Sequence, residues 1–144
     1  MIDLSNLREI RTDSDVSQSK VAETLGVTRE TVTKWETGVS IPSFKEIYGF
    51  AKLFNYSIDY VLGLTRNRNT VIYEKYNKQL VIKNLKKLRL DASLSVRALA
   101  AKLGVSHVAV VRYENGQSNP SLDILHKYHK IFNVSFDDLS TKKL

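Results

Sequence analysis

The sequence predicts an all-α protein: two tandem five-helix domains joined by an extended helix. Three observations carry that expectation. Residues 7–61 overlay residues 85–139 at a constant offset of 78, without a gap and with nineteen identities. Serine, threonine and glycine recur at fixed places where helices would start and stop. The apolar/polar alternation of strands is nearly absent. A fixed internal period sets the architecture before any local reading, because each repeat is one folding unit used twice. The corresponding boundaries are 1–65 for the first domain, 66–84 for a linker and basic helix extension, and 85–144 for the second domain.

In the first copy, Leu7, Ile10 and Arg11 define a first helix, with Asp3 or Ser5 as its cap. Ser17 precedes a short run, 18–25, in which Val21, Ala22 and Leu25 keep helical spacing. Gly26 ends that run, as a left-handed C-terminal glycine does. Thr28 then caps a third segment, 29–37, and Gly38 closes it. Its glutamate fits a capping box only loosely. Pro42-Ser43 opens a fourth helix running to about Phe54, and Ser57 caps a last turn ending near Leu62. Each Ser or Thr cap stabilises its helix by about 1 kcal/mol. The second copy repeats these signals with Ser95, Gly104, Ser106, Gly116, Pro120-Ser121 and Ser135. Its first helix differs. The stripe Ile72, Tyr73, Tyr76, Leu80, Val81, Leu85, Leu88 keeps one apolar face, which predicts a helix from near Val71, roughly 30 Å long. The linker proper would be 65–70.

Composition narrows the class. There is no cysteine, so neither a disulfide framework nor a thiolate metal site is available. No apolar run approaches a membrane span, Met1-Ile2-Asp3 does not read as a signal peptide, and a cytoplasmic location is expected. The formal charge is +7 and the pI about 9.6, which points to a polyanionic partner. Residues 1–62 hold seven Lys/Arg against nine Asp/Glu, whereas residues 63–144 hold fifteen against six. Much of the excess lies in Arg66, Arg68, Lys75, Lys78, Lys83, Lys86, Lys87 and Arg89. Such a run is as often a solvated helix face as a phosphate-binding one.

A helix, a glycine-containing turn of three to four residues and a second helix make a helix-turn-helix. Ala22 and Ala100 sit at the close crossing, and Val32 and Val110 hold the second helix on the first. The wider constellation is more specific: Arg11, then VSQSKVAETLGVTRETVTKWETG, then Pro42-Ser43 and LFNYSIDYVLGLT. It closely resembles the lambda-repressor/Cro type of helix-turn-helix domain, and LRLDASLSVRALAAKLGVSHVAVVRYENG with Pro120-Ser121 and IFNVSFDDL resembles it again.

The resemblance implies five short helices per domain, the third laid in the DNA major groove. Carried across, Thr28, Arg29, Glu30, Thr33 and Lys34 face base edges. Arginine can pair with guanine, glutamate can accept from cytosine, and a threonine methyl can touch thymine. Gln18 matches a phosphate-contacting glutamine at a helix N-terminus; Thr37, Ser40 and Lys45 are further backbone candidates. The second copy departs from the pattern: Gln18 becomes Val96, Arg29 and Glu30 become His107 and Val108, Thr33 becomes Val111, and Lys34 becomes Arg112. Ser106, His107, Arg112, Asn115, Gln117 and Asn119 remain as DNA candidates. Three readings stay open for this domain: an A·T-tolerant reader, a non-specific clamp, or a face that packs on protein. The family also places an ion pair at the positions of Arg11 and Glu36, and of Arg89 and Glu114. Their equal separation in both copies suggests the contact independently.

His126 and His129, at i and i+3, read as surface side chains rather than metal ligands. No motif places a catalytic triad or a phosphate loop, so no enzyme, metal or cofactor is expected. The leading expectation is a sequence-specific, repressor-like regulator of double-stranded DNA. Its two heads would gain affinity by docking together, and a helix of roughly 30 Å between them is close to the ~34 Å between successive major grooves on one DNA face. The alternative is a protein-interaction module, such as an antitoxin or accessory subunit, in which one domain makes a homodimer or docks a partner. Surplus apolar residues at 72–81 and at Val108 and Val111 motivate it. A non-specific nucleoid-type binder is a third reading.

Overall fold

A computed structural model of the chain describes residues 2–68 and 74–144 and contains, among them, ten helices and no strand. The helices are α1 (Asn6–Asp13), α2 (Gln18–Leu25), α3 (Arg29–Glu36), α4 (Phe44–Phe54), α5 (Ile58–Val61), α6 (Lys78–Asp91), α7 (Val96–Leu103), α8 (His107–Asn115), α9 (Leu122–Phe132) and α10 (Phe136–Thr141). They fall into two compact units, Met1–Tyr76 and Asn77–Leu144.

The starts are made by the expected side chains. The Ser17, Thr28, Ser43 and Ser57 hydroxyls accept the N–H of Lys20, Thr31, Glu46 and Tyr60. Ser95, Ser106, Ser121 and Ser135 do the same in the second unit. The reciprocal capping box lies on α4, where Glu46 also accepts the Ser43 N–H at 2.9 Å. Helix α1 has no side-chain cap bond from Ser5; Asp3 instead accepts the Ser5 N–H at 2.9 Å. Gly26 and Gly104 end α2 and α7 at φ +70° and +72°, where a Cβ would be strained. Asn55 and Asn133 take the same left-handed role after α4 and α9.

Within the first unit α2 packs on α3 and α4, and α1 on α3 and α5; α4 and α5 also meet. Leu7, Val21, Val32, Ile47, Ala51, Ile58, Val61 and Leu62 fill the centre. The second unit repeats the scheme with Leu85, Leu99, Leu103, Val110, Leu122, Leu125, Tyr128, Phe136 and Leu139. In each unit one ion pair ties the first helix to the third. Arg11 Nε meets Glu36 Oε2 at 2.7 Å and Arg11 Nη2 meets Oε1 at 2.9 Å. Arg89 and Glu114 repeat this at 2.7 and 2.9 Å. The remaining guanidinium nitrogen donates to the carbonyl of Val16 or Leu94.

Three expectations are corrected. The extended helix begins at Lys78, not near Val71; its 14 residues span about 21 Å, so the match to groove spacing lapses. Asn77 caps it, accepting the Leu80 N–H at 3.1 Å. Tyr76 instead packs edge-on against Phe44 and Tyr48 of α4, with ring centroids 5.8 and 5.3 Å away, and burial pushes its phenol up to about 12. Tyr48 Oη donates to the Glu74 carbonyl at 2.8 Å. Val71, Ile72 and Tyr73 lie outside the described residues.

The second correction follows from the first. Val81 is buried within the second unit and Tyr76 is covered by α4, so neither needs another chain to cover it. Third, His126 is an interior residue at 7% exposure, and burial lowers its pKa. Its ring stacks on that of His129, whose Nδ1 lies 2.7 Å from the Val134 carbonyl. The two residues occupy the places of Tyr48 and Ala51, which are themselves buried.

Two buried polar groups differ in how well they are satisfied. Asn84 donates to the Leu139 and Lys142 carbonyls at 2.8 and 2.7 Å and accepts the Leu144 N–H. The Tyr128 hydroxyl is buried and finds no hydrogen-bond partner among the described residues. Its counterpart in the first unit is Phe50. Tyr128→Phe is therefore expected to stabilise the second unit by about 1 kcal/mol. The change should appear in the helical denaturation curve and not in Trp35 fluorescence, which reports the first unit. Arg11→Met leaves a buried carboxylate alone and should cost about 3–5 kcal/mol. The expected readout is a red-shifted Trp35 emission under native conditions.

Candidate nucleic-acid interface

Helix α3 is held by its back. Val32 and Trp35 are buried, and helical periodicity then turns Arg29, Glu30, Thr33, Lys34 and Thr37 outward, where all five are exposed. Thr28 is exposed too, but its hydroxyl is engaged as the cap and lies 2.9 Å from Thr31 Oγ1. Its methyl is what remains to offer. Glu30 and Lys34 form an exposed i,i+4 pair at 3.6 Å, weak enough to be exchanged for other partners. Thr37 Oγ1 donates back to the Thr33 carbonyl at 2.8 Å. Ser40 is half-buried in the following turn, and Lys45 is exposed on the first turn of α4.

Gln18 joins this face to the ion pair. Its Nε2 donates to Glu36 Oε1 at 3.1 Å, and its Oε1 accepts from Thr33 Oγ1 at 3.1 Å and from Arg29 Nε at 3.5 Å. A side-chain amide carries two protons, so one stays available beside the N-terminus of α2. Arg11, Ser17, Gln18, Ser19 and Arg29 line an open cleft of about 320 Å³ there. Two guanidinium groups and a helix N-terminus give it the chemistry of an anion site. Glu36 is the acidic member of the network. Burial pushes its carboxyl up, but hydrogen bonds from Arg11 and Gln18, with the nearby charges of Arg11 and Arg8, outweigh that and hold it below its ordinary 4.5.

In the second unit, Val110 is buried, and His107, Val108, Val111 and Arg112 are exposed on α8. Ser106 is the cap. Asn115 and Gln117 satisfy each other, with Asn115 Nδ2 3.1 Å from Gln117 Oε1 and the Gln117 N–H on Asn115 Oδ1 at 3.0 Å. Asn119 is exposed. The basic run does not act as one surface. Arg89 is buried in its ion pair, Lys87 is paired with Asp91 at 2.7 Å, and Arg68 lies over the rings of Tyr56 and Tyr60. One residue escapes a position-by-position comparison with Gln18. Arg97, exposed on the first turn of α7, occupies the place of Ser19, a residue of the anion cleft. Asn84 was missed as well, although Asn6, its equivalent just outside the repeat, donates to the Tyr60 carbonyl at 2.9 Å.

The helix-turn-helix family pattern matches residues 7–61 and again 85–139. The chain is 34% identical over 57 residues to the HTH-type transcriptional activator BcrR of Enterococcus faecalis, covering 40% of this chain and 28% of that protein. It is 32% identical over 57 residues to the uncharacterized HTH-type transcriptional regulator YqaE of Bacillus subtilis, covering 40% and 49%. With YobD of the same organism, also an uncharacterized HTH-type transcriptional regulator, identity is 26% over 77 residues, covering 54% and 69%. The chain thus spans under half the length of the first two relatives. No solved structure matches it significantly. Among the described residues no helix is long and apolar enough to cross a membrane.

The lowered Glu36 pKa carries a pH dependence. The stability it contributes is present above the unfolded value of 4.5 and is lost as pH falls through the lower folded value. Gln18→Ala removes one of the bonds that lower it. Acid unfolding followed by Trp35 fluorescence should therefore have a higher midpoint pH in that variant; an unchanged midpoint would contradict the role given to Gln18.

Proposed function

The chain belongs to the helix-turn-helix family of transcriptional regulators, and from that premise we propose that its first unit is the main reader of a specific double-stranded DNA site. The observation that carries this reading is the polar row Arg29, Glu30, Thr33 and Lys34, exposed along a helix whose other side is locked into the core. Arg29 pairs with guanine N7 and O6, Glu30 accepts from a cytosine amino group, and the Thr33 methyl meets thymine. Lys34 extends the row. Gln18, with its spare amide proton, and the free N–H groups of α2 hold a phosphate in the adjoining cleft. Thr37, Ser40 and Lys45 lie further along the same side as backbone contacts, and the second unit is a further head on the same DNA.

A second reading has one observation in its favour. Val108 and Val111 are each 44% exposed, as a face that docks on protein would be. The apolar residues at 76 and 81 no longer support it, since each is covered within its own unit.

Selection of sites from random DNA by the full chain, followed by titration of two variants, tests the first reading. Arg29→Ala should lose about 1–3 kcal/mol of preference at one base pair and little elsewhere. Gln18→Ala should weaken all sequences alike, by about 1.5 kcal/mol for a hydrogen bond to a charged group. Uniform weakening by Arg29→Ala would show that the base-reading residues are misassigned.

A further inference from the structure

We propose that the second unit reads the C5 methyl groups of thymine through Val108 and Val111, so that one chain recognises two chemically different kinds of base edge. This rests on the reading of the first unit as a major-groove head, and on four features of the second. Helix α8 is locked in place as α3 is: Val110 is fully buried where Val32 is. The same side therefore faces out, and Val108 and Val111 stand where Glu30 and Thr33 do.

The change is concerted. In the first unit the Gln18 carbonyl oxygen accepts from the Thr33 hydroxyl; at the matching positions the second unit has Val96 and Val111. Both members of a polar pair have become apolar, while the arginine–glutamate pair behind them is unchanged. The outer face has changed its chemistry while the ion pair that anchors the helix has not.

Cations are retained but redistributed, since Gln18, Arg29 and Lys45 give way to Val96, His107 and Asp123. Arg97 replaces Ser19 at the cleft position and Arg112 replaces Lys34. Residues 77–144 carry twelve Lys/Arg against five Asp/Glu, whereas residues 1–76 carry ten of each. The whole net charge thus sits on the unit with the valine face. Such a surface repels a second copy of itself and attracts a polyanion. Thymine is the one base that offers a methyl in the major groove, and two branched aliphatic side chains on one helix face are the complement of a pair of such methyls.

Replacing thymine by deoxyuridine deletes that methyl and nothing else. The full chain is titrated against its selected site with each thymine replaced in turn. Substitutions under the second unit should weaken binding about fourfold each, the worth of one buried methyl-sized group. The V108A/V111A variant, altered only at exposed positions, should keep its helix content and bind the thymine and deoxyuridine sites nearly alike.

If no thymine replacement under the second unit weakens binding, or if that penalty is the same in V108A/V111A, the proposal is overturned. It is equally overturned if the variant keeps the penalty but sediments at lower mass, which would make the valine face a protein interface. Failure of the first-unit reading registers separately, as uniform weakening by Arg29→Ala.

Discussion

A buried arginine and glutamate, one pair per unit, set the geometry on which everything else in the molecule depends. Each pair ties the first helix of its unit to the end of the helix that faces outward, with two parallel hydrogen bonds and a third to a loop carbonyl. The side chains of Arg11 and Glu36 are 12% and 4% exposed. Charges so withdrawn from water gain from each other only when their geometry is good and further hydrogen bonds support them. The bidentate fork meets that condition, because a planar guanidinium matches a carboxylate in one orientation. The pair therefore specifies an angle between helices as well as a contact.

From that anchor the two units diverge. Glu36 has a third ligand in Gln18, through which the ion pair reaches Thr33 and Arg29 on the outer face. Glu114 has Val96 at that place, so its network stops at the pair. The same backbone is thus finished in two ways, one polar and hydrogen-bonded, the other apolar. The backbone itself was not free to vary. Asp15 and Ser93, like Asn55 and Asn133, hold positive φ at equivalent positions, and both bonds between guanidinium and carboxylate have the same lengths in the two units.

Much of this was legible in the chain because it is local chemistry. A hydroxyl followed three residues later by an unsatisfied N–H, and a glycine where φ must be positive, locate helix ends without knowledge of the rest. The ion pairs were legible because the repeat places each arginine at the same separation from its glutamate. The stripe from Ile72 to Leu88 misled because periodicity records that a face is apolar, not what covers it. Tyr76 belongs to the aromatic cluster on α4, and Asn77, a good cap, marks the start of the helix. His126 and His129 looked solvent-exposed by residue type; their alignment with Tyr48 and Ala51 would have placed them inside. Arg97 was hidden by a comparison of like with like, since it stands where the first unit has the uncharged Ser19, one residue past the position of Gln18.

The tether from Glu36 through Gln18 to Arg29 bears on what happens at the moment of contact. Long side chains such as arginine lose conformational freedom when immobilised, and that loss opposes association. Here Arg29 Nε rests 3.5 Å from the Gln18 oxygen, a long contact that restrains it only in part. Val108 and Val111 reach the same end by another route, since branching at Cβ leaves them few rotamers to lose. On the proposed reading, both faces would meet DNA with part of that loss already taken. A face that cannot rearrange around a misfit would then turn a small change in shape opposite it into faster release.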